Sequence, residues 1–129
     1  MARNESKNRE LSVFKGREAK LNRAIFQTLA LKGVQSTNKL YLNIKKQKEF
    51  RQKHYGNVNK RARALENQGY LKATEIPSHQ GRTKAVYYEL KAKAYLALML
   101  NSVDLENLLN LTNDETATKI LAAIAETIF

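Results

Sequence analysis

The sequence predicts a mainly α-helical fold of the α+β class, with a small two- or three-stranded β-hairpin and further helices towards its C-terminal end. Three observations predict it. Stretches 17–32, 37–44 and 57–68 repeat apolar residues at the spacing of one helical face. Two runs of alternating residues follow, 71–76 and 84–90, separated by the turn-forming residues Pro77, Ser78, Gln80 and Gly81. Beyond residue 90 the helical period returns, interrupted by polar residues suited to helix starts.

A chain of 129 residues fits one domain with a modest core. With 43% hydrophobic and 27% charged residues, a globular class is favoured over a disordered one. No apolar run reaches the length that spans a bilayer. The basic, polar start MARNESKNRE is followed by no apolar segment or small-residue cleavage site, so no secretory signal is expected. The chain has no Cys, which excludes disulfides and thiolate metal sites. The expected location is the cytoplasm, in association with the nucleoid.

Charge is unevenly spread. Residues 1–91 hold 21 Lys and Arg against 7 Asp and Glu, a net +14, whereas residues 92–129 hold 2 against 5, a net −3. A first part so cationic implies a polyanionic partner. Nucleic acid is the commonest such partner. A membrane surface would need a basic helix with an unburied apolar face, and no membrane partner is expected.

In chain order, residues 1–16 read as a basic flexible arm, either a solvated tail or extra charge laid on a phosphate backbone. The first helix, 17–32, turns Leu21, Ala24, Ile25, Thr28 and Leu29 inward. Phe26 and Leu31 widen that stripe, and Gly33 ends it. Ser36 or Thr37 caps a second helix that buries Leu40, Tyr41 and Ile44, with Leu42 at its edge. The strongly basic segment 45–55, pinned by Phe50, either extends that helix or forms a long connection. Its Lys45, Lys46, Arg51, Lys53 and Tyr55 are a solvated face or a phosphate clamp.

The third helix carries the functional expectation. It starts at Asn57, a capping residue after the permissive Gly56, and closes at Gln68-Gly69. At about 100° per residue, Val58, Ala62 and Leu65 share one arc, with Gly69 below. Opposite lie Asn59, Lys60, Arg63 and Asn67, flanked by Asn57 and Arg61. Arg can fork onto guanine, Asn onto adenine, and Lys onto phosphate. The bland alternative is a solvated helix face. The next strand turns Leu71 and Ala73 inward, and the return strand Val86, Tyr88 and Leu90, so the hairpin tip presents His79, Gln80, Arg82 and Lys84.

The run NVNKRARALENQGYL resembles the recognition helix and following Gly-apolar step of MarR-, PadR- and ArsR-like regulators. GRTKAVYYELKAKAYLALML is similar to their wing, return strand and next helix. The resemblance, over about residues 20–100, implies a winged helix-turn-helix domain of an archaeal or bacterial transcriptional regulator. It implies that Asn57, Asn59, Lys60, Arg61 and Arg63 enter the major groove while Gln80, Arg82 and Lys84 touch backbone or minor groove. The chain departs from the pattern at the long basic segment 45–55, which keeps an RNA-binding reading open, since some ribosomal proteins use this fold.

On this division, 17–100 is the DNA-binding domain and 101–129 a helical extension that completes the core or pairs with a twin. In the last part Lys91 starts a helix with Tyr95, Leu96 and Met99 inward and Leu98 as a further candidate. Asp104 caps a short helix, and Thr112 with Glu115 forms a capping box. The final helix buries Ala117, Ile120, Leu121, Ile124 and Ile128. A homodimer through these helices is expected by analogy with twofold operator binding. A winged-helix protein-interaction module is a third reading.

Nothing points to an enzyme. His54 and His79 are the only histidines and have neither Cys nor clustered carboxylates beside them, so no metal or cofactor is expected. The five Gly are scattered singly, and no Ser sits in a nucleophile elbow. Packing suits Tyr41, Tyr70, Tyr88 and Tyr95, leaving Tyr55 and Tyr87 as contacts for nucleic acid.

Overall fold

The computed structural model describes residues 11–77 and 83–128. It shows an α+β fold in which a small antiparallel sheet packs beside helices. The chain is anchored earlier than the expected arm would allow. A 3₁₀ turn at Ser12–Phe14 buries Val13 and Phe14. The buried Asn22 side chain donates to the Val13 carbonyl at 2.8 Å, and Phe14 stands edge-on to Phe26 with ring centroids 5.8 Å apart. Residues 11–16 therefore belong to the body, and the first ten lie outside the described residues.

Helix α1, Ala19–Lys32, buries Leu21, Ala24, Ile25, Phe26, Thr28 and Leu29. Leu31 does not widen this stripe. At 84% exposure it sits in the last turn, on a groove shared with Gln27, Asn43 and Gln47, where α1 has run past the core. Gly33 (φ 77°) closes the helix, its N–H donating to the Leu29 carbonyl at 2.9 Å.

Strand β1, Gln35–Ser36, is too short to leave a pattern in the sequence. It pairs with the return strand as Gln35 opposite Tyr88 and Ser36 opposite Tyr87. Helix α2, Thr37–Lys45, starts there, with the Ser36 hydroxyl accepting from the Lys39 N–H at 3.2 Å. The buried Thr37 hydroxyl donates to the Val86 carbonyl at 3.2 Å and ties α2 to the sheet. Leu40 and Ile44 face the core, Tyr41 is half-buried, and Leu42 is exposed. Of segment 45–55, Lys45 ends α2 and Tyr55 starts the next helix, and residues 46–54 are a connection rather than more helix. The connection makes a 3₁₀ turn at Lys48–Phe50 and is held by the buried Phe50.

Helix α3, Tyr55–Asn67, begins two residues before its expected start. His54 is the capping residue, and Asn57 works backwards from the first turn, its Oδ1 accepting from the His54 N–H at 3.3 Å. At the other end Gly69 (φ 86°) allows paired closing bonds, Tyr70 N–H to the Leu65 carbonyl and Gly69 N–H to the Glu66 carbonyl, each 2.9 Å. Strands β2, Leu71–Pro77, and β3, Lys84–Leu90, then pair antiparallel from Leu71 opposite Leu90 to Pro77 opposite Lys84, giving the sheet order β1-β3-β2. Leu71 and Tyr88 are buried on its inner face, with Ala73, Val86 and Leu90 partly so.

Helix α4, Ala92–Ser102, packs on α1 and β3, but not mainly through the expected residues. Ala94 and Ala97 are buried. Of the expected four, Leu98 is the one that the fold partly buries, while Tyr95, Leu96 and Met99 are 48%, 56% and 65% exposed. Small side chains let the helix lie close, so the inward stripe is rotated away from its largest residues. Asp104 caps α5, Leu105–Leu111, accepting from Glu106 and Asn107 N–H groups at 3.1 and 3.3 Å. Helix α6, Asp114–Ile128, is capped by Asn113, whose Oδ1 accepts from Thr116 N–H at 2.8 Å. The expected Thr112–Glu115 box does not form, because the Thr112 hydroxyl turns back to the Leu108 carbonyl. The final helix does not bury its apolar face either. Ala117 is half-buried, and Ile120, Leu121 and Ile124 are exposed, so the extension does not complete this core. The Ile128 side chain lies outside the described residues.

Candidate nucleic-acid interface

Helix α3 is held from beneath. Val58, Ala62 and Leu65 are each 0% exposed. Full burial of three apolar positions fixes the helix rotation, and the opposite side must then face out. Lys60, Arg63 and Asn67 are exposed on that side, in line with Gly56, whereas Asn59, expected among them, is half-buried beside Val58, as Arg61 is on its flank. Nothing in the described C-terminal helices covers Lys60, Arg63 or Asn67, since all three remain open to solvent. The far end of α3 is fixed by a residue the sequence did not single out. Lys93 Nζ donates to the Gln68 carbonyl at 2.7 Å and sits 4.5 Å from the Tyr70 ring centroid, a cation placed where the helix dipole favours one.

At the seam of α2 and α3, Tyr41 and Tyr55 meet edge-to-face with centroids 5.6 Å apart, and Lys45 Nζ lies 5.4 Å from the Tyr41 centroid. Tyr55 is 44% exposed, so this small column presents a ring and a cation side by side. Glu66 is half-buried on the flank towards the sheet. Burial raises the Tyr88 phenol above its ordinary value, the Glu66 charge adds to that, Arg63 opposes it, and Tyr55 raises it further.

The expected cations do not all converge. Lys53 of the connection meets Asn57, Lys60 and Arg61 around a notch of about 150 Å³ that Ala64 and Glu18 also line. Arg61 Nε itself is shielded from solvent and has no hydrogen-bond acceptor among the described residues. Lys46 instead lines the separate α1–α2 groove, and Arg51 is exposed on the connection. Lys84 is exposed at the tip end of the hairpin, opposite Pro77 and 3.6 Å from Glu75, an exposed pair of little energetic weight. Gln80 and Arg82, like His79, lie outside the described residues. Glu18 had no signal in the sequence, because only the fold brings the start of α1 beside α3.

Fold and site together define an α+β chain that exposes a cationic helix next to a β-hairpin. No family model matches the chain, and no curated protein is significantly similar to it. Among the described residues, no helix is long and apolar enough to cross a membrane.

Proposed function

We propose that this chain is a winged helix-turn-helix protein that binds double-stranded DNA and regulates transcription. Helix α3 enters the major groove, and the hairpin lies on the backbone or minor groove. The observation that carries the reading is the outward line of Lys60, Arg63 and Asn67 on a helix whose rotation is locked by Val58, Ala62 and Leu65. Such a face offers a forked donor, an amide and a point charge to a groove. The end of α2 and the connection add exposed charge through Lys45, Lys46 and Arg51, suited to backbone phosphates.

The apolar faces of α5 and α6 support a homodimer. Leu105 and Leu109 on one side of α5 and Leu121 on α6 are 52%, 70% and 67% exposed, and apolar residues left open along a helix face suit an interaction site. A twin would bury it and set two copies of α3 on a twofold DNA site.

Competition between duplex DNA and structured RNA at matched salt tests the choice of nucleic acid. Preference for the duplex is expected, with affinity falling log-linearly as salt rises. Preference for RNA would transfer the same face to an A-form partner. Binding to neither would leave a protein-interaction module.

A further inference from the structure

We infer that the notch between α3 and the connection preceding it seats one phosphate group, gripped by Arg61, Lys53 and Lys60, with Glu18 on its rim weakening the grip. Three cations and the Asn57 amide surround about 150 Å³ and meet a single carboxylate. Among the described residues no ion pair involves Glu18, Lys53, Lys60 or Arg61. Arg61, which lines the notch, also has an Nε–H that is shielded from solvent and lacks an acceptor among the described residues. A small turn of its guanidinium towards an anion would give that donor a partner. Native structures seldom leave such a group unmade, and guanidinium Nε–H with a neighbouring N–H is the fork that a phosphate accepts. One water needs about 10–15 Å³ of such space, so the notch has room for a tetrahedral anion.

The placement says what the seat does. Lys60 belongs both to the notch and to the outward line of α3, so a phosphate held here lies beside the groove that the helix enters. A contact of this kind carries no sequence information but fixes depth and register for the side chains that do. The inference rests on the duplex-binding reading for the source of the phosphate, a backbone diester; free phosphate shares the chemistry.

Nitrogen-15 spectra of the arginine Nε–Hε groups test it. The Arg61 signal is assigned by its loss in Arg61→Lys, and the full-length protein is titrated in parallel with inorganic phosphate and with a short mixed-sequence duplex. The expected result is a downfield shift of that signal with the duplex, and binding tightened about two- to fivefold by Glu18→Gln, the range for one surface charge. Lys53→Gln makes the duplex salt slope shallower by about one. A shift with the duplex alone upholds the seat and restricts it to diesters. A shift with phosphate in a protein that binds no duplex also upholds the seat, while ending the DNA reading. Salt-dependent duplex binding with the Arg61 signal unmoved in both arms overturns the seat and spares the DNA reading. No shift and no binding overturn both.

Discussion

The body of the molecule, α1 to β3, and its last two helices are written in the same alphabet of amphipathic stripes, yet they end in opposite states. In the body Ile25, Phe26, Leu40, Ile44, Val58 and Leu65 are each 0% exposed. In α5 and α6 the equivalent stripe of Leu108, Leu109, Leu121 and Ile124 faces out, with no α5 residue buried. Charge divides along a similar line, at +14 for residues 1–91 and −3 for 92–129. A helical period thus says that a helix has an apolar side. It does not say whether the surface that covers it belongs to the same chain.

The sharpest way to break this contrast is to cut the same kind of group from each region. Phe26→Ala removes a ring held between Phe14 and Tyr70 and is expected to cost about 3–5 kcal/mol. Leu121→Ala, at dilutions where the protein is monomeric, is expected to stay within about 0.5 kcal/mol of wild type. Urea unfolding followed by circular dichroism measures both. A large loss at Leu121 in the monomer would show that α6 is part of the core after all.

Next in size is the twin. Replacing Leu121 and Ile124 together by Glu places charge on the exposed stripe, and the molar mass in solution is expected to halve. Duplex affinity should fall about 10²-fold, the usual loss when two linked contacts become one. A doubly substituted protein that keeps its mass removes α6 from the interface.

On the body side, Arg63→Ala is expected to lower discrimination between cognate and random duplexes by about 1–3 kcal/mol if its guanidinium forks onto a base. Equal losses on both duplexes would reassign Arg63 to phosphate. Tyr88 sharpens the same region. Its folded value lies above the ordinary phenol value of about 10. The neutral ring therefore contributes stability that is complete below that pH and is lost as pH rises through the raised value. Tyr88→Phe should flatten the alkaline end of the stability profile relative to wild type.

How much of this was legible depended on whether the deciding contact was local. The α3 arc could be read because Val58, Ala62 and Leu65 sit opposite Lys60 and Arg63 within one helix, and Gly69 marks its end. Strand β1 could not, since two residues show no alternation and its tie to β3 is a pairing of Gln35 with Tyr88 and Ser36 with Tyr87, some fifty residues away. In α4 both the Ala94–Ala97 stripe and the Tyr95–Leu96–Met99 stripe keep helical spacing. Residue hydrophobicity favours the second, and close approach to α1 and β3 selects the first. The phosphate notch was half visible: Lys60 and Arg61 lay in plain view, but Lys53 and Glu18 join them only through the fold.

The smallest expected effects test whether the two regions are coupled at all. Ser36 caps α2, whose Leu40 and Ile44 are wholly buried, so Ser36→Ala is expected to lower global stability by about 1 kcal/mol. Asp104 caps α5 through two backbone N–H groups, but α5 buries none of its residues. In the monomer Asp104→Ala should therefore reduce helical signal slightly while the main unfolding transition stays where it was, because fraying a helix that buries none of its residues does not weigh on the core. At concentrations where twins form, the same substitution should begin to shift that transition, since the pair then depends on α5 being helical. A shift already present in the monomer would mean that the last two helices share the body's stability despite their exposure.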